Sequence, residues 1–167
     1  TIQSPNGAKT IFSVDNHGRI KSATDPNGHQ THYEYSGAFL TKITNPLKGV
    51  TTLDYNAHGL PLKMTNPLGG TTQMSYDAEG RKLDETNPDG QKETTTYDAS
   101  GQVISQTDGN GATSQFTYDA LGNKKTMTNP EGGTYSYTYD GAGNQTTMID
   151  PDGHETTYKF DQRNQLA

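Results

Sequence analysis

A tyrosine followed directly by an aspartate returns at Tyr76-Asp77, Tyr97-Asp98, Tyr118-Asp119 and Tyr139-Asp140, and each time a glycine stands three residues after the aspartate. A phenol beside a carboxylate is a candidate acid-base pair, and carboxylates beside glycines are candidate calcium ligands. Catalysis fails on spacing: equivalent pairs set 21 residues apart in a repeated unit cannot converge on one reacting atom. Calcium fails on ligand pattern, because Asp98, Asp119, Asp140 and Asp161 recur without a DxDxDG loop and its distal glutamate. His29 and His32 form HxxH, but on a strand residues three apart point to opposite faces, so they make no zinc pair. His17, His58 and His154 read as isolated, solvated turn residues. There is no Cys, and Ser and Thr lack the Gly-x-Ser-x-Gly elbow of an activated nucleophile. No catalytic residue, no metal site and no cofactor is expected.

What these residues mark is better seen in the elements that must hold them. Only 28% of the 167 residues are hydrophobic and mean hydropathy is -0.96, a balance that by itself leans towards disorder. Ten Tyr, four Phe and many Thr oppose that reading, since these residues favour strands. A net charge of -6 without a basic run argues against a nucleic-acid surface. No run of 18 apolar residues offers a membrane span. The sequence opens without Met and stops inside a repeat, so a fragment of a larger protein is expected.

Three columns set the period. Pro5, Pro26, Pro46, Pro67, Pro88, Pro130 and Pro151 form one, with Gly109 where a proline is missing. Val14, Tyr35, Tyr55, Tyr76, Tyr97, Tyr118, Tyr139 and Phe160 form the second, and Gly18, Gly59, Gly80, Gly101, Gly122 and Gly143 the third. The interval is 21 residues except for a single 20 in the second repeat, whose YSGAFLTKI is one residue short. The chain thus reads as one array over 1–167 of about eight repeats: 3–23, 24–43, 44–64, 65–85, 86–106, 107–127, 128–148 and 149–167.

Each repeat reads as a hairpin. Thr-Asn-Pro-x-Gly sets one turn, with Pro fixing φ at one corner and Gly supplying positive φ at another. Asp-Ala-x-Gly sets the second, the carboxylate accepting backbone amides. The strand between them alternates: Met74 and Tyr76, Phe116 and Tyr118, or Tyr137 and Tyr139 face one way, while Ser75, Thr117 and Thr138 face the other. This pattern predicts an antiparallel sheet with one covered face. The return strand, as in Leu62 with Met64 or Ile104 with Gln106, gives no clear inward face, which admits a bulge. About sixteen strands at roughly 4.8 Å spacing make a sheet on the order of 75 Å wide, and accumulated twist should curl it.

Tyr-Asp-Ala-x-Gly followed by Thr-(Asn/Asp)-Pro-x-Gly resembles the YD repeat of the Rhs family, which includes teneurins and the shell subunits of insecticidal toxin complexes. The likeness runs from Gln3 to Ala167. It implies an all-β fold of tandem hairpins spiralling into the wall of a hollow β shell. It also implies a secreted or cell-surface setting, and as partners the rest of the parent shell and an enclosed toxin cargo. Arg, frequent after the turn glycine in the family, stands there only as Arg19 and Arg81. The core motif that follows the repeats in polymorphic toxins is not found; IDPDGH at Ile149 to His154 is another repeat turn.

The expected role is therefore a non-catalytic wall that scaffolds or encloses a toxin for delivery to other cells. The alternative is a cell-surface adhesin or glycan-binding module, since column tyrosines recur every second strand, roughly 10 Å apart, and could stack on sugars if exposed. Open strand edges also invite self-association. The residues expected to carry the architecture are Tyr35, Tyr55, Tyr76, Tyr97, Tyr118, Tyr139 and Phe160, with Gly59, Gly80, Gly101, Gly122 and Gly143.

Overall fold

The computed structural model describes residues 2–3, 7, 9–161 and 163–167; Pro5 of the proline column lies outside them. The fold is all-β and antiparallel, without a helix among the described residues. The chain forms two compact units, Thr1–Gly90 and Gln91–Ala167. The first holds β1 (Ile2–Gln3), β2 (Lys9–Val14), β3 (Ile20–Thr24), β4 (Gln30–Ser36), β5 (Phe39–Thr44), β6 (Val50–Tyr55), β7 (Pro61–Thr65), β8 (Thr71–Tyr76) and β9 (Lys82–Thr86). The second holds β10 (Lys92–Tyr97), β11 (Val103–Thr107), β12 (Thr113–Tyr118), β13 (Lys124–Thr128), β14 (Thr134–Tyr139), β15 (Gln145–Ile149) and β16 (Glu155–Thr157). Within each unit every strand pairs with the next in sequence, so each unit is an open antiparallel meander.

Every full hairpin carries a bulge at one place, just before its column residue. Thr117 opposes Thr126, but Tyr118 opposes Lys124, so Lys125 is the extra residue; Thr138 with Thr147 and Tyr139 with Gln145 repeat this. The same step occurs between Ser13 and Val14, Glu34 and Tyr35, Asp54 and Tyr55, Ser75 and Tyr76, and Thr96 and Tyr97. Because side chains alternate with period two, one extra residue flips everything beyond it. This is why the return strand showed no clean alternation: Leu62 and Ile104 are bulge residues, while Met64, Met127 and Met148 lie opposite Leu53, Phe116 and Tyr137 on the tyrosine side.

The other face is built from matched polar pairs at the position preceding each bulge. Ser13 bonds Ser22 at 2.6 Å, Lys42 pairs with Glu34 at 2.8 Å, and Ser75 donates to Asp84 at 2.6 Å. In the second unit the hydroxyls of Thr117 and Thr126, and of Thr138 and Thr147, meet at 2.6 Å. Directly opposed side chains of this kind each add a few tenths to about 1 kcal/mol.

The covered face expected from the alternation is only half realised. Among the described residues no hydrophobic side chain is buried, and the single buried polar one is Ser22. A single layer of sheet has nothing of its own to lay over a face, so its aromatic residues reach only half burial.

The turns repeat one geometry on both edges. An Asp or Asn donates its backbone N–H to the carbonyl of the fourth residue on and accepts the amide of the third, as in Asp119 with Asn123 and Gly122, or Asn66 with Gly70 and Gly69. The fourth member of the turn takes positive φ, and in the turn from Asn45 to Gly49 that member is Lys48, at φ 67°. A side chain resists this region by about 1 kcal/mol. Lys48→Gly is therefore expected to raise the stability of the chain by about 1 kcal/mol in denaturant unfolding; an unchanged or lowered midpoint would contradict the turn assignment.

Candidate functional site

Within each unit the sequence columns come together as two features, a row of aromatic rings on one sheet face and a series of similar turns along each edge, the tight turn at Gly37 excepted. Tyr35, Tyr55, Tyr76, Tyr97, Tyr118, Tyr139 and Phe160 are all half-buried. Hydroxyls of this column reach back to the preceding hairpin. Tyr35 donates to the Ile20 carbonyl at 3.0 Å, Tyr55 to Leu40 at 2.9 Å, Tyr118 to Val103 at 2.8 Å and Tyr139 to Lys124 at 2.9 Å, each 15 residues upstream. Tyr76 instead approaches the Met74 sulfur at 3.7 Å, a weaker contact. The acceptor is in each case the carbonyl of the residue that opposes the column residue of the preceding hairpin or begins that return strand. The column tyrosine is thus a tether between repeats, which explains a phenol where a plain apolar ring would pack as well.

Around this row the rings gather further partners. Phe39 stacks on Tyr55 at 5.2 Å with planes 25° apart, the Arg19 guanidinium lies 4.5 Å from the centre of the Tyr35 ring, and Lys124 lies 4.7 Å from that of Phe116. The short second repeat makes the first contact possible: its tight turn at Gly37 delivers Phe39 over Gly59, where an added Cβ would meet the ring at 2.5 Å. Arg19 also donates to the Gly37 carbonyl. Burial, then the neighbouring Tyr135, raises the Tyr137 phenol above its ordinary range, and burial followed by Tyr137 and Asp119 does the same to Tyr139. Phenols so placed are neutral hydrogen-bond donors, not bases.

At the edges the turn carboxylates are occupied. Asp119 Oδ1 accepts the amides of Leu121 and Asn123 at 2.9 and 2.8 Å, while its Oδ2 accepts the Asn123 side chain at 3.0 Å. Asp98, Asp140 and Asp161 accept the corresponding backbone amides. Gly59, Gly80, Gly101, Gly122 and Gly143 stand at the left-handed corner with φ of 81°, 82°, 86°, 88° and 84°. Bonds of this kind lower the carboxyl pKa of Asp15, Asp25, Asp119, Asp140 and Asp150. The side-chain bond from Arg19 is the main cause that takes Asp15 to about 2, and the side-chain bonds from Asn123 and Asn144 lead in lowering Asp119 and Asp140. At Asp77 partial burial pushes upward, but backbone and side-chain bonds from Arg81 prevail and the net shift is down.

In many turns the first and fifth positions are matched, with Asp108 before Ala112 and Asn87 before Gln91 as departures. Asp faces a side-chain donor in Asp15 with Arg19, Asp77 with Arg81, and Asp140 with Asn144; Asn faces Gly or Leu in Asn45 with Gly49, Asn66 with Gly70, and Asn56 with Leu60. On the proline edge successive turns also stack. A Cβ on Gly49 would lie 2.9 Å from Pro67, one on Gly70 3.0 Å from Pro88, and one on Gly133 2.9 Å from Pro151. Where the missing proline falls the sizes exchange: Gln91 bears the side chain, and a Cβ on Gly109 would meet it at 3.0 Å.

The histidines divide. His29 Nδ1 lies 3.0 Å from Asp25 Oδ2, and His154 Nδ1 lies 3.0 Å from Asp150 Oδ2, so His154 is not isolated as its sequence position suggested. Asp150, Asp152 and His154 bring potential ligand atoms within 4.8 Å of one another, but Asp150 already accepts from both backbone amides and the imidazole. His32 opposes Ser22 and Thr44 inside β4, away from His29 in its turn. An open groove of ≈ 740 Å³ lies between the Asp98 and Asp119 turns, lined by Gln102, Ile104, Phe116, Tyr118 and Leu121. Sequence reading missed the tyrosine tether, for which the only signal was the preference for Tyr over Phe in the column.

A family model described as RHS Repeat matches residues 14–50, 55–92, 97–134, 125–155 and 139–167. The chain belongs to the RHS-repeat family. No curated protein sequence matches it. Among solved structures, the crystal structure of TcdB2-TccC3-Cdc42 superposes with a TM-score of 0.77 at 21% identity. That of TcdB2-TccC3 does so with 0.75 at 20%, and the Photorhabdus luminescens Tc holotoxin pore carrying a TccC3 mutation with 0.76 at 21%. In each case 98% of this RHS-repeat chain is covered but only 10% of the other. The likeness establishes a shared fold, and the chain spans about a tenth of the length of those it matches.

The tether makes a specific demand on the RHS-repeat array. Tyr118→Phe deletes one hydrogen bond and leaves a half-buried carbonyl unpaired, which should cost about 1 kcal/mol in equilibrium unfolding. Tyr76→Phe, which loses only the contact to sulfur, should cost clearly less. Equal losses at the two positions would show that the hydroxyl bond is not what the column supplies.

Proposed function

We propose that this RHS-repeat array is a non-catalytic wall segment of a larger exported protein, and that the wall encloses a toxin cargo. The observation that carries this reading is the tyrosine tether: it joins one hairpin to the next and closes on nothing else, so what the repeated motif builds is surface. Similarity to part of the toxin-complex chains supports the enclosure, with the remainder of the parent protein and the enclosed domain as partners. On this reading 1–167 act as a single array, the column residues Tyr35 to Phe160 and Gly59 to Gly143 are structural, and the setting is extracellular.

The enclosure is tested in the full-length parent protein by protease protection. The segment that follows the array should resist cleavage in the native protein and become cleavable when Tyr97, Tyr118 and Tyr139 are replaced together by Ser. Equal cleavage of that segment in native and denatured protein would overturn the enclosure.

One observation favours a second reading. The ring faces are half-exposed, with their hydroxyls already engaged, and rows of such rings roughly 10 Å apart fit stacking on successive sugars. If this RHS-repeat array is an adhesin, glycan-array screening should give a ligand whose binding is lost in Tyr118→Ala and kept in Tyr118→Phe. No glycan binding at millimolar concentration would exclude it.

A further inference from the structure

Apart from the tight turn at Gly37, the described turns open on Asp or Asn, and three Asn turns fall in succession. From Phe39 to Tyr76, spanning β5 to β8, the turns open on Asn45, Asn56 and Asn66. Asp15 and Asp25 open the turns before that block, and Asp77 and then Asn87 open those after it. In the second unit Asp98, Asp108, Asp119, Asp140, Asp150 and Asp161 open turns, and Asn129 is the exception. Both side chains offer an Oδ1 to the amides of the turn. Only Asp adds a charge, which strengthens those bonds, and a second oxygen that accepts a side chain. Only Asp loses both on protonation.

The groups that face these carboxyls are cations, imidazoles and amides. Asp15 faces Arg19, which also lies over Tyr35; Asp25 faces His29. Asp119 faces Asn123, with Asp98 across the shared groove and Tyr139 in the next hairpin. Asp140 faces Asn144, which is itself held by Asn164. Lys124 is turned to Phe116. Asp77 faces Arg81, which also reaches Glu79, and Asp150 faces His154; away from the turns Glu34 pairs with Lys42 and Asp84 with Ser75.

We propose that acid opens this RHS-repeat array in a set order, with the Asp-turned hairpins releasing first and the Asn-turned block Phe39–Tyr76 persisting to lower pH. A repeat array permits this, because each hairpin is stabilised by itself and its neighbours and need not unfold with the whole. The sign follows from linkage. The carboxyls of Asp15, Asp25, Asp119 and Asp140 are lowered in the folded state, so their contribution is complete above the ordinary value of 3.8 and is lost as pH falls through the lowered values, reaching about 2 for Asp15. Asn turns contribute nothing to that loss.

The test is an amide NMR titration of the 167-residue chain from pH 7 to pH 2. Residues of β5 to β8 should keep native shifts at pH values where those of β2, β3 and β12 to β15 have lost them. Asp119→Asn with Asp140→Asn retains the Oδ1 acceptor, since the facing Asn amides can turn over, and should move the loss in β12 to β15 down by about half a pH unit. Asn56→Asp with Asn66→Asp provides the reverse change and should move the loss in β6 to β8 up. A single transition over all residues would overturn the proposal, as would either pair of substitutions leaving its midpoint unmoved.

Discussion

The hydrogen bond from a column tyrosine to a carbonyl of the preceding hairpin is the interaction on which the rest of this structure depends. A lone hairpin is marginal in water, and here no hydrophobic side chain is buried among the described residues to hold hairpins together. What remains is the backbone ladder, matched polar pairs such as Thr117 with Thr126, and the column aromatic residues, of which Tyr35, Tyr55, Tyr118 and Tyr139 bond to the preceding hairpin. Each of these is worth about 1 kcal/mol or less. Stability then comes from repetition, with each added hairpin contributing its own small interface.

The turns complete that logic. A turn that opens on Asp or Asn and closes on a left-handed residue satisfies its own backbone amides, so the edges of the sheet need no covering layer. The proline edge adds a contact between successive turns, with Pro67 over Gly49 and Pro88 over Gly70. The bulge before each column residue sets the tyrosine opposite the start of the return strand, at the level from which its hydroxyl reaches back. Tyrosine, turn and bulge are therefore one device per repeat.

Much of this was legible in the sequence because turn chemistry is local. Positive φ at the Gly positions and the capping role of Asp follow from residue type alone, and the period-two pattern of the forward strand follows from side-chain alternation. The return strand was illegible for an equally local reason: Leu62, Ile104 and Lys125 are bulge residues, and one extra residue erases the alternation. The covered face was over-read. Alternation shows which residues share a face, and says nothing of whether anything lies on it; the tyrosines are half-buried. The tether itself joins residues 15 apart across a strand pair, a relation visible only once register is known.

If function lies in the wall, stability should belong to the array and not to its members. The most direct measurement is equilibrium unfolding of otherwise identical RHS-repeat arrays of four, six and eight hairpins. The account predicts that unfolding free energy rises by a constant increment with each pair of hairpins added, and that the increment shrinks when the column tyrosines are replaced by Phe. Free energy independent of repeat number would contradict it, because the hairpins would then be standing alone.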